Sequence, residues 1–353
     1  MKKLIDKLYK TNYLAKDEIV CLLDNIDEQG KEYLFSLAHD TLLRTYGNRI
    51  FIRGLLEFTN YCRNNCKYCG IRRDNKNVSR YRLSREEILT SLEEGAELGY
   101  KTFVLQGGED LYYTDKMLEE IIKEIKVRYP LAVVTLSIGE RSSESYEKYY
   151  NAGADRFLLR HETATPSIYH SLHPEMSFEN RKKCLFSLKR IGYQTGAGFL
   201  VGLPGETSET LANNLLFLKE LDPEMVGIGP LIPHPETPLK DEKIGSVETT
   251  LIMLAMTRLL LPEALIPATT ALNTLCEEGI ERGIKAGANV VMLNLSPVNV
   301  RKKYEIYRNK ESRDIHELDI IKQKAANVGF VVDMCRGDKL GFQINNNRGS
   351  QNV

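Results

Sequence analysis

The chain has 353 residues, 42% hydrophobic and 27% charged, and its 48 Lys and Arg balance 48 Asp and Glu. A chain of this length buries enough surface to fold without disulfide or metal staples, and a zero net charge argues against a broad nucleic-acid surface. No run of about eighteen uncharged apolar residues occurs, so no membrane span is expected.

Residues 1–49 read as a helical extension, with Leu4, Leu8, Ile19, Leu22, Leu23, Leu34, Leu37 and Ala38 at helical spacing. The opening residues Met1 to Lys7 carry positive charge without an apolar stretch, so no secretory signal is expected there. From residue 50 short apolar runs alternate with amphipathic helices. The runs span 51–58, 102–106, 131–137, 155–160, 196–202, 225–229, 265–271 and 288–293. Helical stretches such as 84–98 and 208–220 lie between them. Ser84 with Glu87 forms a capping box for the first, and Thr207 is an N-cap for the second.

Eight such units predict an α/β fold, a (β/α)8 TIM barrel with a C-terminal helical segment over 50–340. A doubly wound sheet is the competing architecture. Residues 341–353 are expected to be a flexible tail. The expected strand ends are polar, offering Glu57, Gln106, Glu109, Ser137, Glu140, Arg160, Glu162, Thr269 and Asn294. In a barrel that rim carries the chemistry.

Cys62, Cys66 and Cys69 follow the first run with C-x3-C-x2-C spacing. Three thiolates at this spacing suit a soft metal or an iron–sulfur cluster. A closed zinc site wants a fourth ligand, and none lies nearby in sequence. Zinc completed by a distant histidine, or three structural cysteines, are the alternatives. The seven cysteines are an odd number and show no paired framework, which points to a reducing, cytoplasmic setting. Gly196 to Gly202 mimics a dinucleotide fingerprint, but its glycines fall in the run itself rather than in the following turn, so it reads as a strand. No Walker-type sequence is present.

The cysteine loop with Tyr68 before its last cysteine, and Gly107-Gly108-Glu109 after the second run, resemble the radical S-adenosylmethionine (SAM) superfamily. The segments 72–77, 159–163, 177–181, 229–235 and 267–271 narrow the likeness to its HydE maturase family, which serves FeFe-hydrogenase. Biotin synthase and methylornithine synthase are more distant relatives in the same group.

The resemblance implies one 4Fe-4S cluster on Cys62, Cys66 and Cys69, with SAM on the remaining iron. It implies SAM contacts from Tyr68, Gly107, Gly108, Glu109, Arg160, Glu162 and Arg181, with Glu162 on the ribose and Arg181 on the carboxylate. Thr269, Thr270 and Tyr304 would line the substrate cavity. The implied activity is reductive SAM cleavage to a 5′-deoxyadenosyl radical. That radical would act on a small organometallic substrate, an iron carbonyl–cyanide–cysteine complex, in building the diiron subcluster.

Implied partners are the other hydrogenase maturases (a tyrosine-cleaving enzyme and a GTPase scaffold) and an electron donor such as ferredoxin or flavodoxin. Neither nucleic acid nor membrane is expected. The competing functions are a radical SAM mutase or sulfur-inserting enzyme on a small amino acid, and a non-catalytic iron–sulfur scaffold. Without the family likeness, each polar residue has a plainer reading: Arg181 a solvated helix charge, Arg160 and Glu162 a rim ion pair, Gly107-Gly108 a turn, and the threonines plain strand formers. Some relatives carry a second cysteine trio after the last strand. Here residues 308–314 contain no cysteine, and Cys21, Cys184, Cys276 and Cys335 read as incidental small hydrophobes.

Overall fold

Alternating apolar runs and capped helices build a parallel sheet that curls on itself. The computed structural model describes residues 1–311 and 314–342. Of the tail expected over 341–353, residues 343–353 lie outside the described residues. Among the described residues ten strands follow in chain order: β1 (Arg49–Thr59), β2 (Thr102–Gly107), β3 (Val133–Ser137), β4 (Arg156–Leu158), β5 (Gln194–Ala197), β6 (Leu200–Val201), β7 (Met225–Val226), β8 (Gly229–Pro230), β9 (Val290–Asn294) and β10 (Val331–Asp333).

Pairing runs in parallel through β1, β2, β3, β4, β5 and β7, and β9 returns to pair with β1. Single parallel bridges from Leu265 to Met225 and from Pro267 to Val290 close the ring. The seventh expected strand therefore reduces to two bridges. Pro267 has no N–H to extend a ladder, and by Thr269 the chain has already become the N-cap of helix Thr270–Leu275.

The fifth and sixth runs are each split. Gly198 divides β5 from β6 at φ +148, where a Cβ would stand 2.0 Å from the Gly227 carbonyl oxygen. Only glycine allows these two backbones to approach so closely.

The helices start where local chemistry says they should. Ser84 accepts from Glu87 N at 3.2 Å, and the Glu87 side chain returns to Ser84 N at 2.7 Å, capping Arg85–Glu97. Thr207 caps Ser208–Leu221. The leading helices Lys2–Thr11, Lys16–Asn25 and Glu28–Tyr46 pack on helices Ser208–Leu221 and Val247–Leu260. Ile5, Leu22 and Leu34 join the barrel's own hydrophobic core. Asn12 Nδ2 donates to Leu259 O at 2.6 Å, and Tyr46 OH to Glu263 O at 2.6 Å.

The C-terminal residues complete the barrel floor, which sequence periodicity did not reveal. β10 pairs with Arg49–Phe51 of β1. The loop after it turns beneath the strands, where buried Arg156 donates to Arg336 O at 2.9 Å, Gly337 O at 2.8 Å and Asp338 Oδ1 at 2.7 Å. With the floor closed, the opposite rim is left to form a cavity.

Candidate active site

After Thr59 the chain leaves β1 as a long loop that returns at Tyr81. Asn60 anchors it, donating to Ser79 O at 2.9 Å and Lys303 O at 2.7 Å and accepting from Tyr81 N at 2.8 Å. Arg80 gathers the loop's carbonyls, among them Ile71 O at 2.8 Å and Arg72 O at 2.7 Å. These bonds hold Cys62, Cys66 and Cys69 against the strand ends.

Burial raises all three thiols. Cys69 is pushed up to about 12, first by burial and then by Cys62. Cys66 is driven well above the thiol range by burial, then by Cys69 and Cys62. Three neighbouring thiols that oppose one another's ionisation become favourable thiolates when a cationic cluster takes them. Among the described residues no three such side chains surround one point closely enough for a single ion. A cubane instead holds each cysteine on a different iron, so the donor set suits a cluster.

The three cysteines line one cavity of about 290 Å³ at the barrel rim. Tyr68, Gly107, Gly108, Glu109, Arg160, Glu162, Arg181, Thr269 and Tyr304 line it as well. Of the expected threonine pair, Thr269 lines it and Thr270 lies just outside its lining. Thr269 ends the strand-like segment and faces Gly229, while Thr270 opens the helix and its carbonyl accepts from Thr274 Oγ1 at 2.9 Å.

The double glycine also has a packing reason. A Cβ on Gly108 would stand 2.2 Å from Tyr61 O and 2.6 Å from Cys62 Cβ. Its first duty is to let the cysteine loop lie on β2. Glu109 next to it is buried, with Oε2 accepting from Arg63 Nε at 2.9 Å and Oε1 from Glu140 N at 2.8 Å.

Glu162 stands out for its backbone and its charge. It is a non-glycine residue at φ 63, held there by Glu162 N donating to Gly198 O at 3.0 Å and Leu200 N donating to Glu162 O at 3.0 Å. Such a conformation costs energy and persists where surroundings enforce it. Its Oε2 lies 3.3 Å from Arg160 Nη2 without a well-formed hydrogen bond, and Arg160 Nε is likewise buried without a partner. A carboxylate with an unfilled acceptor facing the cavity fits a ligand hydroxyl.

Arg181 leaves the surface role a lone helical arginine would suggest. It is 7% exposed, and Nε donates to Glu140 Oε1 at 2.7 Å. Nη1 donates to Arg160 O, and no hydrogen bond is made by Nη2 among the described residues. Glu140 was visible as a polar strand end, but its pairing with Arg181 was not. Two further residues were missed. Tyr68 OH lies 3.0 Å from His173 Nε2, and His173 stacks on Tyr169 with ring centroids 4.2 Å apart. His161, next to Arg160, packs away from the cavity between Phe199 and Phe217.

None of Cys21, Cys184, Cys276 and Cys335 lines the cavity, and all seven cysteines are free. Among the described residues no helix is long and apolar enough to cross a membrane.

Residues 56–218 match the Radical SAM superfamily. The chain is 48% identical over 310 residues to the [FeFe] hydrogenase maturase subunit HydE of Thermotoga maritima, covering 88% of each chain. It is 30% identical over 321 residues to 3-methylornithine synthase of Methanosarcina acetivorans, covering 90% of each. Among solved structures, methylornithine synthase (PylB) superposes with a TM-score of 0.83 at 27% identity, covering 94% of this chain and 97% of that one. A rim cavity bordered by a three-cysteine loop at the ends of parallel βα units is what that likeness leads one to expect, and the chain belongs to the radical SAM superfamily as an enzyme homologous to the HydE maturases.

Proposed function

We propose that this enzyme binds one 4Fe-4S cluster and SAM and serves in assembly of the diiron subcluster of FeFe-hydrogenase. The observation that carries the reading is the joining of Cys62, Cys66, Cys69, Glu162 and Arg181 around one cavity, in a chain 48% identical to a HydE subunit. When bound, the cluster supplies one electron that cleaves SAM to methionine and a 5′-deoxyadenosyl radical.

The chain's own residues bind and enclose. The three cysteines would hold the cluster, and three thiolates leave a ligand position open for SAM. Arg181 directs its unpartnered Nη2 at the SAM carboxylate, with Glu140 fixing the guanidinium plane. Glu162 accepts from the ribose hydroxyls. Tyr68, Gly107, Gly108 and Glu109 line the SAM side. Thr269 and Tyr304 face the remaining space, where a small anionic organometallic complex fits their hydroxyls. Tyr304, Ile306 and Tyr307 cover the cavity and keep water from a reactive radical.

The partners under this reading are the other hydrogenase maturases and a one-electron donor, in the cytoplasm, where seven free thiols are at home. Two assays test it. Anaerobically reconstituted protein should release 5′-deoxyadenosine from SAM under reduction. A hydrogenase cluster-assembly mixture lacking a HydE component should regain activity when this protein is added. SAM cleavage without restored assembly would favour a different small substrate, and no cleavage at all would leave a scaffold.

A further inference from the structure

Residues Leu172 to Glu175 lead from helix Pro166–Leu172 into the turn before helix Phe178–Ile191. The chain reaches this corner from Glu162 and leaves it toward Arg181, so one stretch supports both of these cavity residues. The same corner grips the cysteine loop at three points. Leu172 O accepts from Lys67 N at 2.9 Å. His173 Nε2 lies 3.0 Å from Tyr68 OH. Glu175 accepts from Arg73 through both oxygens, at 2.8 Å and 2.5 Å.

The three grips are unequal. The first is a main-chain bond that any residue but proline could make. Arg73 and Glu175 are each close to half exposed, and a solvated pair of that kind contributes little. His173 is 1% exposed, and the Tyr68 ring packs on a small apolar cluster that includes Ile168, Leu172, Leu200 and Leu231. The proton positions between them follow from the neighbours. His173 Nδ1 lies 2.9 Å from Tyr169 O, a carbonyl that can only accept, so Nδ1 carries the ring proton. Burial, and then Arg181, hold the imidazole down to about 3, so the ring is neutral and Nε2 is bare. Nε2 therefore accepts from the Tyr68 hydroxyl. The ring is kept in place by stacking on Tyr169, with centroids 4.2 Å apart and planes 28° from parallel.

We infer that His173 is a positioning residue, which through Tyr68 sets the cysteine loop at a fixed place relative to Glu162 and Arg181. The inference rests on the cluster and SAM reading above. Tyr68 stands between Cys66 and Cys69, so a displaced Tyr68 ring moves the backbone that carries both thiols. A buried hydroxyl left without an acceptor supplies the force for such a displacement.

The test uses anaerobically reconstituted protein and two readouts other than turnover. These are SAM affinity by equilibrium dialysis and the rate at which bathophenanthroline strips iron from the protein. His173→Phe keeps a ring to stack on Tyr169 but removes the acceptor. Kd for SAM and the iron-release rate should each rise about tenfold, the scale of one unsatisfied buried donor. His173→Gln, whose amide oxygen can take the place of Nε2, should stay near the wild-type values. Tyr68→Phe/His173→Phe removes the hydroxyl together with its acceptor and should recover most of the loss. Wild-type SAM affinity and iron release in His173→Phe overturn the inference, even if its urea midpoint falls. Equal losses in all three variants overturn it too, because they mark a packing role. If His173→Phe does not fold, losses in both other variants overturn the inference, and near wild-type values in both support it. Wild-type protein that takes up no cluster or binds no SAM would instead overturn the proposed function, and the inference with it.

Discussion

Replacing Arg181 with alanine separates anchoring from architecture. Its guanidinium is 7% exposed and bonded through Nε to Glu140, itself 8% exposed. Removing one member of a buried pair costs about 3–5 kcal/mol, because the remaining charge is left without its counter-ion. Asn180 Nδ2 still donates to Glu140 Oε2 at 2.6 Å, so the lower end of that range, about 3 kcal/mol, is expected in urea unfolding. If Nη2 also holds the SAM carboxylate, a charge-assisted bond worth about 2 kcal/mol is lost, and Kd for SAM rises roughly thirtyfold by equilibrium dialysis. Iron content should not change.

The double variant Glu140→Gln/Arg181→Ala distinguishes the two effects. It removes the stranded charge, so most of the stability should return while SAM affinity stays weak. Recovery of both stability and wild-type SAM affinity in the double variant would show that Arg181 acts only as a structural ion-pair partner.

The other expectations are as direct. Cys66→Ser should abolish the brown chromophore and SAM cleavage after anaerobic reconstitution, and full retained cleavage would remove the cluster from this loop. Reconstituted protein should hold about four irons per chain, one cubane, and replacing Cys21, Cys184, Cys276 and Cys335 together should leave that content unchanged by iron assay. Burial raises the Glu206 carboxyl to about 7, above its ordinary value of 4.5. The folded protein therefore holds a proton that the unfolded chain has released, so this residue's contribution is present below about 4.5 and lost as pH rises toward 7. Glu206→Gln, which keeps an acceptor for Gly202 N, should unfold at higher urea than wild type at pH near 8 and lose that advantage near pH 4; an advantage independent of pH would contradict the titration. Lys310→Met should lower stability by about 3 kcal/mol by stranding Glu57, read by the same urea titration.

What the sequence showed best was whatever is local along the chain. The cysteine spacing, the capping box at Ser84 and the apolar runs each involve residues a few positions apart, so their geometry follows from one element's own period. Glu140 with Arg181, and Tyr68 with His173, join different βα units, and no periodicity in either unit marks the partner. Gly107 and Gly108 were legible as a motif, but not what packs on them: side chains of β1 press on Gly107 and the cysteine loop on Gly108. The left-handed backbone at Glu162 was invisible because residue type does not announce φ, and glutamate is a poor candidate for it. The seventh apolar run shrinks to two bridges because Pro267 has no N–H to extend a ladder, whatever the apolar content around it. β10 is three residues long and was too short to show a period.

The segment after the last barrel strand holds its place through a buried ion pair. It has no cysteines, and what it delivers to the rim is Lys310. Its Nζ reaches Glu57 Oε1 at 2.6 Å and lies 5.5 Å from the centre of the Tyr304 ring. Glu57 is fully buried and also accepts from Asn294 Nδ2 at 2.9 Å, so the ion pair ties this segment to β1 and β9. Asn60 holds Lys303 O from below, and Gly70 N donates to Ile306 O at 2.8 Å. Between these anchors Tyr304, Ile306 and Tyr307 form the roof of the cavity. A buried pair adds little net stability when compared with apolar packing. Its worth here is geometric: it fixes where an aromatic roof sits over the cysteine loop, and a fixed roof is what a water-excluding radical site needs.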